Sequence, residues 1–169
     1  MAGMSPILRQ WPWAALLASA AMLAIAHAFE IFGHLPPCTL CYREREVYWA
    51  ALTIAVVGVI GGLFSLNTRW THLISLVLAL VFLCGAGLAA YHAGAEWGFW
   101  PGPSTCAGGS AHVGAADLAS LLKSSRIAPP ACDKAAWVFL GLSMAGWNAL
   151  ISLGLAALSG LAVRERGRA

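Results

Sequence analysis

Four apolar runs, each close to the length of a membrane crossing, constrain this chain most. They cover about 13–32, 47–66, 73–92 and 147–163 of its 169 residues. With a rise of 1.5 Å per residue, about 20 helical residues span a hydrocarbon core of about 30 Å. The expected fold is an all-α integral membrane protein, a four-helix transmembrane bundle forming one domain over residues 1–169. Composition agrees. Charged residues make up 10% of the chain, against about 25% in soluble domains, and the mean hydropathy is +0.75. The net charge is +3 and the basic residues are scattered, which gives no footprint for nucleic acid. Several of the eight Trp and three Tyr stand at the ends of apolar runs, where interfacial aromatics collect.

Pro12 can open the first helix, where its missing N–H costs nothing. Ala26-His27-Ala28 resembles a signal-peptide cleavage site, but three more spans follow, and an uncleaved helix is expected. His27 and Glu30 share a face near its end and are expected to reach interfacial water; a buried pair would handle protons. Gly58, Gly61 and Gly62 on the second span, and Gly85 and Gly87 on the third, provide small surfaces for close helix approach. The long connector, 93–146, holds Pro101, Pro103, Pro129 and Pro130, which exclude one continuous helix. Within it, Val113–Ser124 reads as a short amphipathic helix, either packed on the protein or lying in the membrane interface.

An even number of spans puts both termini on one side. The tail, with Arg164, Arg166 and Arg168 directly after the last span, reads as a cytoplasmic stop. Arg9 and Arg69 then also lie inside, while Arg43, Arg45, Lys123, Arg126 and Lys134 lie outside, five against five. The crude tally does not decide, and the placement of the tail cluster favours cytoplasmic termini. Both cysteine-bearing connectors, 33–46 and 93–146, then face the outer side, where disulfides persist.

The five cysteines divide into two pairs and a spare. Cys38 and Cys41 form a Cys-x-x-Cys motif after Pro36 and Pro37, with Arg43 and Arg45 close behind. Cationic surroundings favour the reactive thiolate. A metal half-site or an inert disulfide is the alternative at this motif. Cys106 and Cys132, with 25 residues between them, lie on a connector long enough to move. Four thiols on one side can exchange through mixed disulfides, the mobile pair meeting a soluble protein and the fixed pair something dissolved in the bilayer. Arg43 is expected to pair with a neighbouring glutamate. Arg45, starting the second span at membrane depth, needs a partner and is a candidate to stabilise the Cys41 thiolate or a polar ligand headgroup. Cys84, inside an apolar run, reads as a small hydrophobe.

The run Cys38-Thr39-Leu40-Cys41-Tyr42-Arg43-Glu44-Arg45 resembles the Cys-x-Leu-Cys-x-x-Glu-Arg signature of the DsbB family of bacterial quinone-dependent disulfide oxidases. The stretch from Cys132 through Trp137-Val138-Phe139-Leu140-Gly141-Leu142 to Trp147 is similar to a second run of that family. The resemblance implies a Cys106–Cys132 loop disulfide attacked at Cys106 by a reduced periplasmic thioredoxin-fold oxidase of the DsbA type. It implies exchange of Cys132 with Cys38, and a Cys41 thiolate facing a membrane quinone, ubiquinone or menaquinone. Arg45 would support that charge and the quinone, and His92 would lie beside the quinone. No metal is implied, and the location implied is the bacterial inner membrane.

Three other readings are weighed against it. A vitamin K epoxide reductase-like protein would carry its loop pair before the Cys-x-x-Cys pair, the reverse of the order here. A four-span structural protein would explain a loop disulfide but not a second pair beside Arg45. A metal transporter using His34, Cys38 and Cys41 lacks an ionisable path across the spans.

Overall fold

A computed structural model describes residues 8, 10–64, 68–103 and 132–166. Helix α1 (Trp11–Ile31) carries Pro12 in its first turn. It ends before Leu35-Pro36-Pro37, because proline cannot continue a helical hydrogen-bond ladder. Helix α2 (Thr39–Leu63) follows, then α3 (Thr68–Glu96), a two-stranded hairpin of β1 (Val138–Phe139) and β2 (Leu142–Ser143), and α4 (Met144–Arg166). All four helices are long and apolar enough to cross a membrane. The fold is a mostly helical four-helix bundle, with α1 packed on α2, α2 on α3, and α3 most extensively on α4.

Two boundaries differ from expectation. Helix α2 begins at Thr39 rather than near residue 47, because Cys38 caps it. The Cys38 Sγ accepts the backbone N–H of Cys41 at 3.2 Å, satisfying a donor that a helix start otherwise leaves free. Charged Arg43 to Glu46 therefore belong to the helix and not to a connector. Before α4, the segment starting at Trp137 forms the hairpin. Val138 pairs with Ser143 and Phe139 with Leu142, across a turn in which Leu140 and Gly141 both have positive φ, 51° and 80°. That is the conformation a two-residue hairpin turn demands. The helix expected at 113–124 lies outside the described residues, as does Cys106.

The bundle closes on small residues. On α4, Ala145, Asn148, Ser152, Ala156, Ser159 and Ala162 are all buried and recur at three- and four-residue spacing, which places them on one helix face. Trp11 of α1 is 1% exposed and donates its indole N–H to Ser159 Oγ at 3.0 Å. A Cβ on Gly58 would lie 2.7 Å from Ile74 Cγ2 and 3.1 Å from Pro12 Cβ, whereas one on Gly62 would meet nothing within 4 Å. Gly58→Ala is therefore expected to destabilise the bundle by about 1–3 kcal/mol through overpacking. Gly62→Ala should be neutral or stabilising by up to about 1 kcal/mol through helix propensity. Denaturant unfolding in micelles checks the pair, and equal effects of the two substitutions would refute the close approach at Gly58.

Candidate active site

Capping places Cys38 at the mouth of the bundle, and one helical turn brings Cys41 back beside it. The two sulfurs lie 2.8 Å apart, and both are free thiols. The Cys38 Sγ also lies 3.6 Å from His92 Nε2 on α3. The other ring nitrogen of His92, Nδ1, meets Glu44 Oε1 at 2.7 Å. Asn148 Nδ2 of α4 donates to the second Glu44 oxygen at 2.6 Å. Tyr48 donates its hydroxyl to Asn148 Oδ1 at 2.6 Å and lies 2.8 Å from Ser152 Oγ. A chain of polar contacts thus runs from the thiols through three helices. Burial is what makes such a network consequential, since polar groups cut off from water need partners.

Cys132, held in a disulfide, is 1% exposed and packs with Cys38 and Leu40 in a small buried cluster. Thr39 Oγ1 lies 3.4 Å from its sulfur. Three of the four cysteines read as catalytic therefore meet at one place. The free Cys84 faces the outside of the bundle.

The hydrogen bond from the Cys41 thiol pulls the Cys38 thiol down to about 4, with further help from His92 and from the Cys41 N–H, against the opposing effect of burial. A lowered pKa means that the charged form dominates above it. The thiolate absorbance of reduced protein should therefore persist from neutrality down to about pH 5 and disappear as pH falls through about 4. Protein with Cys38→Ser should lack that transition. A wild-type midpoint near the ordinary cysteine value of about 8.5 would refute it.

Both thiols line a cavity of about 350 Å³ bordered by all four helices and the hairpin. Its walls are mostly apolar, with Phe29, Trp137, Phe139, Met144, Trp147 and Ile151 among them. Its polar lining includes Cys38, Cys41, Glu44, Arg45, His92 and Glu96. The hairpin aromatics are fixed by stacking of Trp137 on Phe139 at 5.6 Å and by the Trp147 indole N–H donating to Phe139 O at 3.0 Å. A flat, apolar ring with polar oxygens fits such a space, as small-molecule sites pair apolar walls with a few placed polar groups. The two sulfurs and a His92 ring nitrogen also lie within 4.8 Å of one another, so the same atoms could hold a thiophilic cation.

Arg45 lines this cavity, but its partner is on another helix. Its guanidinium pairs with Glu30, donates to Ala26 O at 3.1 Å and lies over the Tyr42 ring. The donors to the thiol pair come instead from His92 and the helix start, and they converge on Cys38. Glu30, expected to reach water with His27, is thus tied to Arg45. His27 Nδ1 contacts Leu23 O at 2.7 Å. Arg43 pairs with Glu46 as expected.

Sequence reasoning missed Glu44, Tyr48, Asn148 and Glu96. Glu44, next to Arg43 and Arg45 in sequence, resembles a surface partner for either. A signal was available, since Leu40, Glu44, Tyr48, Ala51 and Ala55 follow three- and four-residue spacing on what is the buried face of α2. A carboxylate on such a stripe needs a partner inside the protein.

A four-span membrane bundle with a dithiol beside a buried loop disulfide defines the class, a membrane thiol–disulfide redox protein. Residues 8–162 match the family Disulfide bond formation protein DsbB, and the chain belongs to that family. It is similar to Disulfide bond formation protein B of Methylococcus capsulatus, with 32% identity over 144 residues, covering 83% of this chain and 84% of the relative. The protein of the same name from Aromatoleum aromaticum is 29% identical over 136 residues, 79% and 78% of the two chains. The one from Dechloromonas aromatica is 29% identical over 152 residues, 88% and 87%. No solved structure matches the chain at a significant level. The chain is a multi-pass membrane protein of disulfide bond formation.

Proposed function

We propose that this protein is a quinone-dependent disulfide oxidase of the bacterial inner membrane, with both termini in the cytoplasm. It reoxidises a periplasmic DsbA-type dithiol protein and passes the electrons through Cys106–Cys132 and then Cys38–Cys41 to ubiquinone or menaquinone. The observation that carries this reading is the opening of the Cys38–Cys41 pair onto an apolar cavity on one side, with Cys132 packed against Cys38 on the other.

The partner's thiolate attacks Cys106 and frees Cys132 as a thiolate. When Cys38 and Cys41 are joined in a disulfide, Cys132, packed beside Cys38, attacks Cys38 and releases Cys41 toward the cavity. The partner's second thiol then frees Cys106, which attacks Cys132, restores the loop disulfide and leaves Cys38 and Cys41 reduced. When bound in that cavity, a quinone would supply the two-electron, two-proton acceptor. Donors to Cys38 stabilise the reduced form of the inner pair, and a pair whose reduced form is stabilised is the stronger oxidant. That bias draws electrons inward from the loop pair. Arg45 would hold a quinone oxygen at the mouth, with Glu30 fixing its guanidinium, and His92 holds the proton taken from Cys38.

The test is ubiquinone or menaquinone absorbance with purified protein and a reduced DsbA-type partner. Turnover lost in Cys106→Ala supports the relay. Silence of the wild type with both quinones leaves the structural reading of the loop disulfide.

A further inference from the structure

We infer that Glu96, the last residue of α3, is the acid that gives a proton to a quinone oxygen, and that His92 resupplies it from Cys38. This rests on the quinone-oxidase reading above. Glu96 lies on the cavity wall, and its side chain is 6% exposed. Its Oε1 is 3.8 Å from His92 Nε2, the same nitrogen that faces the Cys38 sulfur at 3.6 Å. His92 Nε2 is thus placed between the thiol and the acid, with Nδ1 occupied by Glu44.

The other ionisable groups on the wall are committed elsewhere. Glu44 has both oxygens bonded, to His92 and Asn148. Arg45 is tied to Glu30. Lys134 is exposed. Among the acids lining the cavity, Glu96 alone has a buried oxygen, Oε2, without a partner in the described residues. An unpaired buried charge is costly, whereas the acid form has a proton to offer. Ser143 of β2 hydrogen-bonds the same carboxyl group and holds its orientation.

The chemistry balances. Oxidation of the pair, the Cys38 proton already resting on His92, breaks the Cys41 S–H bond, forms one S–S bond and releases two electrons. The two protons to be delivered are the one on His92 and the one from Cys41. Reduction of quinone to quinol consumes both electrons and adds one proton to each oxygen. The Cys38 proton, held on His92 Nε2, replaces the one Glu96 gives up. The Cys41 proton passes directly into the cavity that Cys41 lines.

Two measurements test this. The first needs no quinone. Infrared difference spectra on reducing the Cys38–Cys41 pair should contain a protonated-carboxyl C=O band that is missing in Glu96→Gln and shifted in Glu96→Asp. The second is single-turnover quinone reduction, which Glu96→Gln should slow about 100-fold, the scale of a lost general acid. Glu96→Asp should restore at least a tenth of the wild-type rate. Exchange of the partner dithiol with the Cys132 disulfide should keep its wild-type rate in both variants, which also reports folding. A carboxyl band that survives Glu96→Gln, or unchanged quinone reduction in that variant, overturns the assignment while leaving the oxidase reading intact. A wild type that reduces neither quinone overturns both.

Discussion

Cys41→Ala protein is expected to reduce no quinone while still accepting attack by a reduced DsbA-type dithiol. Cys38 can lose two electrons only by forming a bond to a second sulfur, and Cys41 is the one 2.8 Å away. With Cys41 absent, Cys38 cannot enter a disulfide for Cys132 to attack, so the electrons stop at the loop pair. The expected loss of turnover is on the order of 10⁴-fold or more, as for removal of a reacting group that works as part of a unit. Thiol labelling after acid quenching should show one exchange with the partner, which leaves Cys106, Cys132 and Cys38 all reduced. Cys84→Ala should turn over normally, because Cys84 faces away from the site. Residual turnover above a tenth of wild type in Cys41→Ala would sink the relay.

Glu44→Ala is expected to be the most destabilising single change in the site. It removes the acceptor of two buried donors together, the His92 ring nitrogen at 2.7 Å and the Asn148 amide at 2.6 Å. Breaking a buried, hydrogen-bonded ion pair by deleting one partner costs about 3–5 kcal/mol. His92 is 3% exposed and cannot turn to water for compensation. Released from its anchor, the imidazole no longer presents Nε2 to Cys38, so the thiolate midpoint should rise from about 4 toward the ordinary range. Glu44→Gln keeps the shape and an acceptor, and should recover much of the stability but little of the thiolate shift. Denaturant unfolding in micelles and thiolate absorbance against pH report the two effects separately. A stable Glu44→Ala protein with an unchanged midpoint would remove the network from the chemistry.

Much of the fold was legible because lipid imposes a simple rule on length and apolarity, and four stretches obeyed it. The thiols were legible because a Cys-x-x-Cys pair requires only local spacing. What escaped was whatever depends on one helix meeting another. Arg45 was seen to need a partner, but Glu30 lies 15 residues earlier on a different helix. Asn148 looks like an isolated polar residue in an apolar run until α2 brings Glu44 and Tyr48 against it. The start of α2 was misjudged because the charges from Arg43 to Glu46 look like a connector. In the fold they divide between faces, Arg43 and Glu46 outward and Glu44 inward. The hairpin before α4 was masked by the apolar character of Val138 to Leu142, which strand and helix share.

The atom that caps α2 is also an atom that changes oxidation state. As a thiolate, Cys38 Sγ is a strong acceptor for the Cys41 amide, and charge-assisted bonds of this kind are about twice as strong as neutral ones. As half of a disulfide, it is a weak acceptor. The hold on the head of this membrane helix is therefore tighter when the thiol pair is reduced than when it is oxidised.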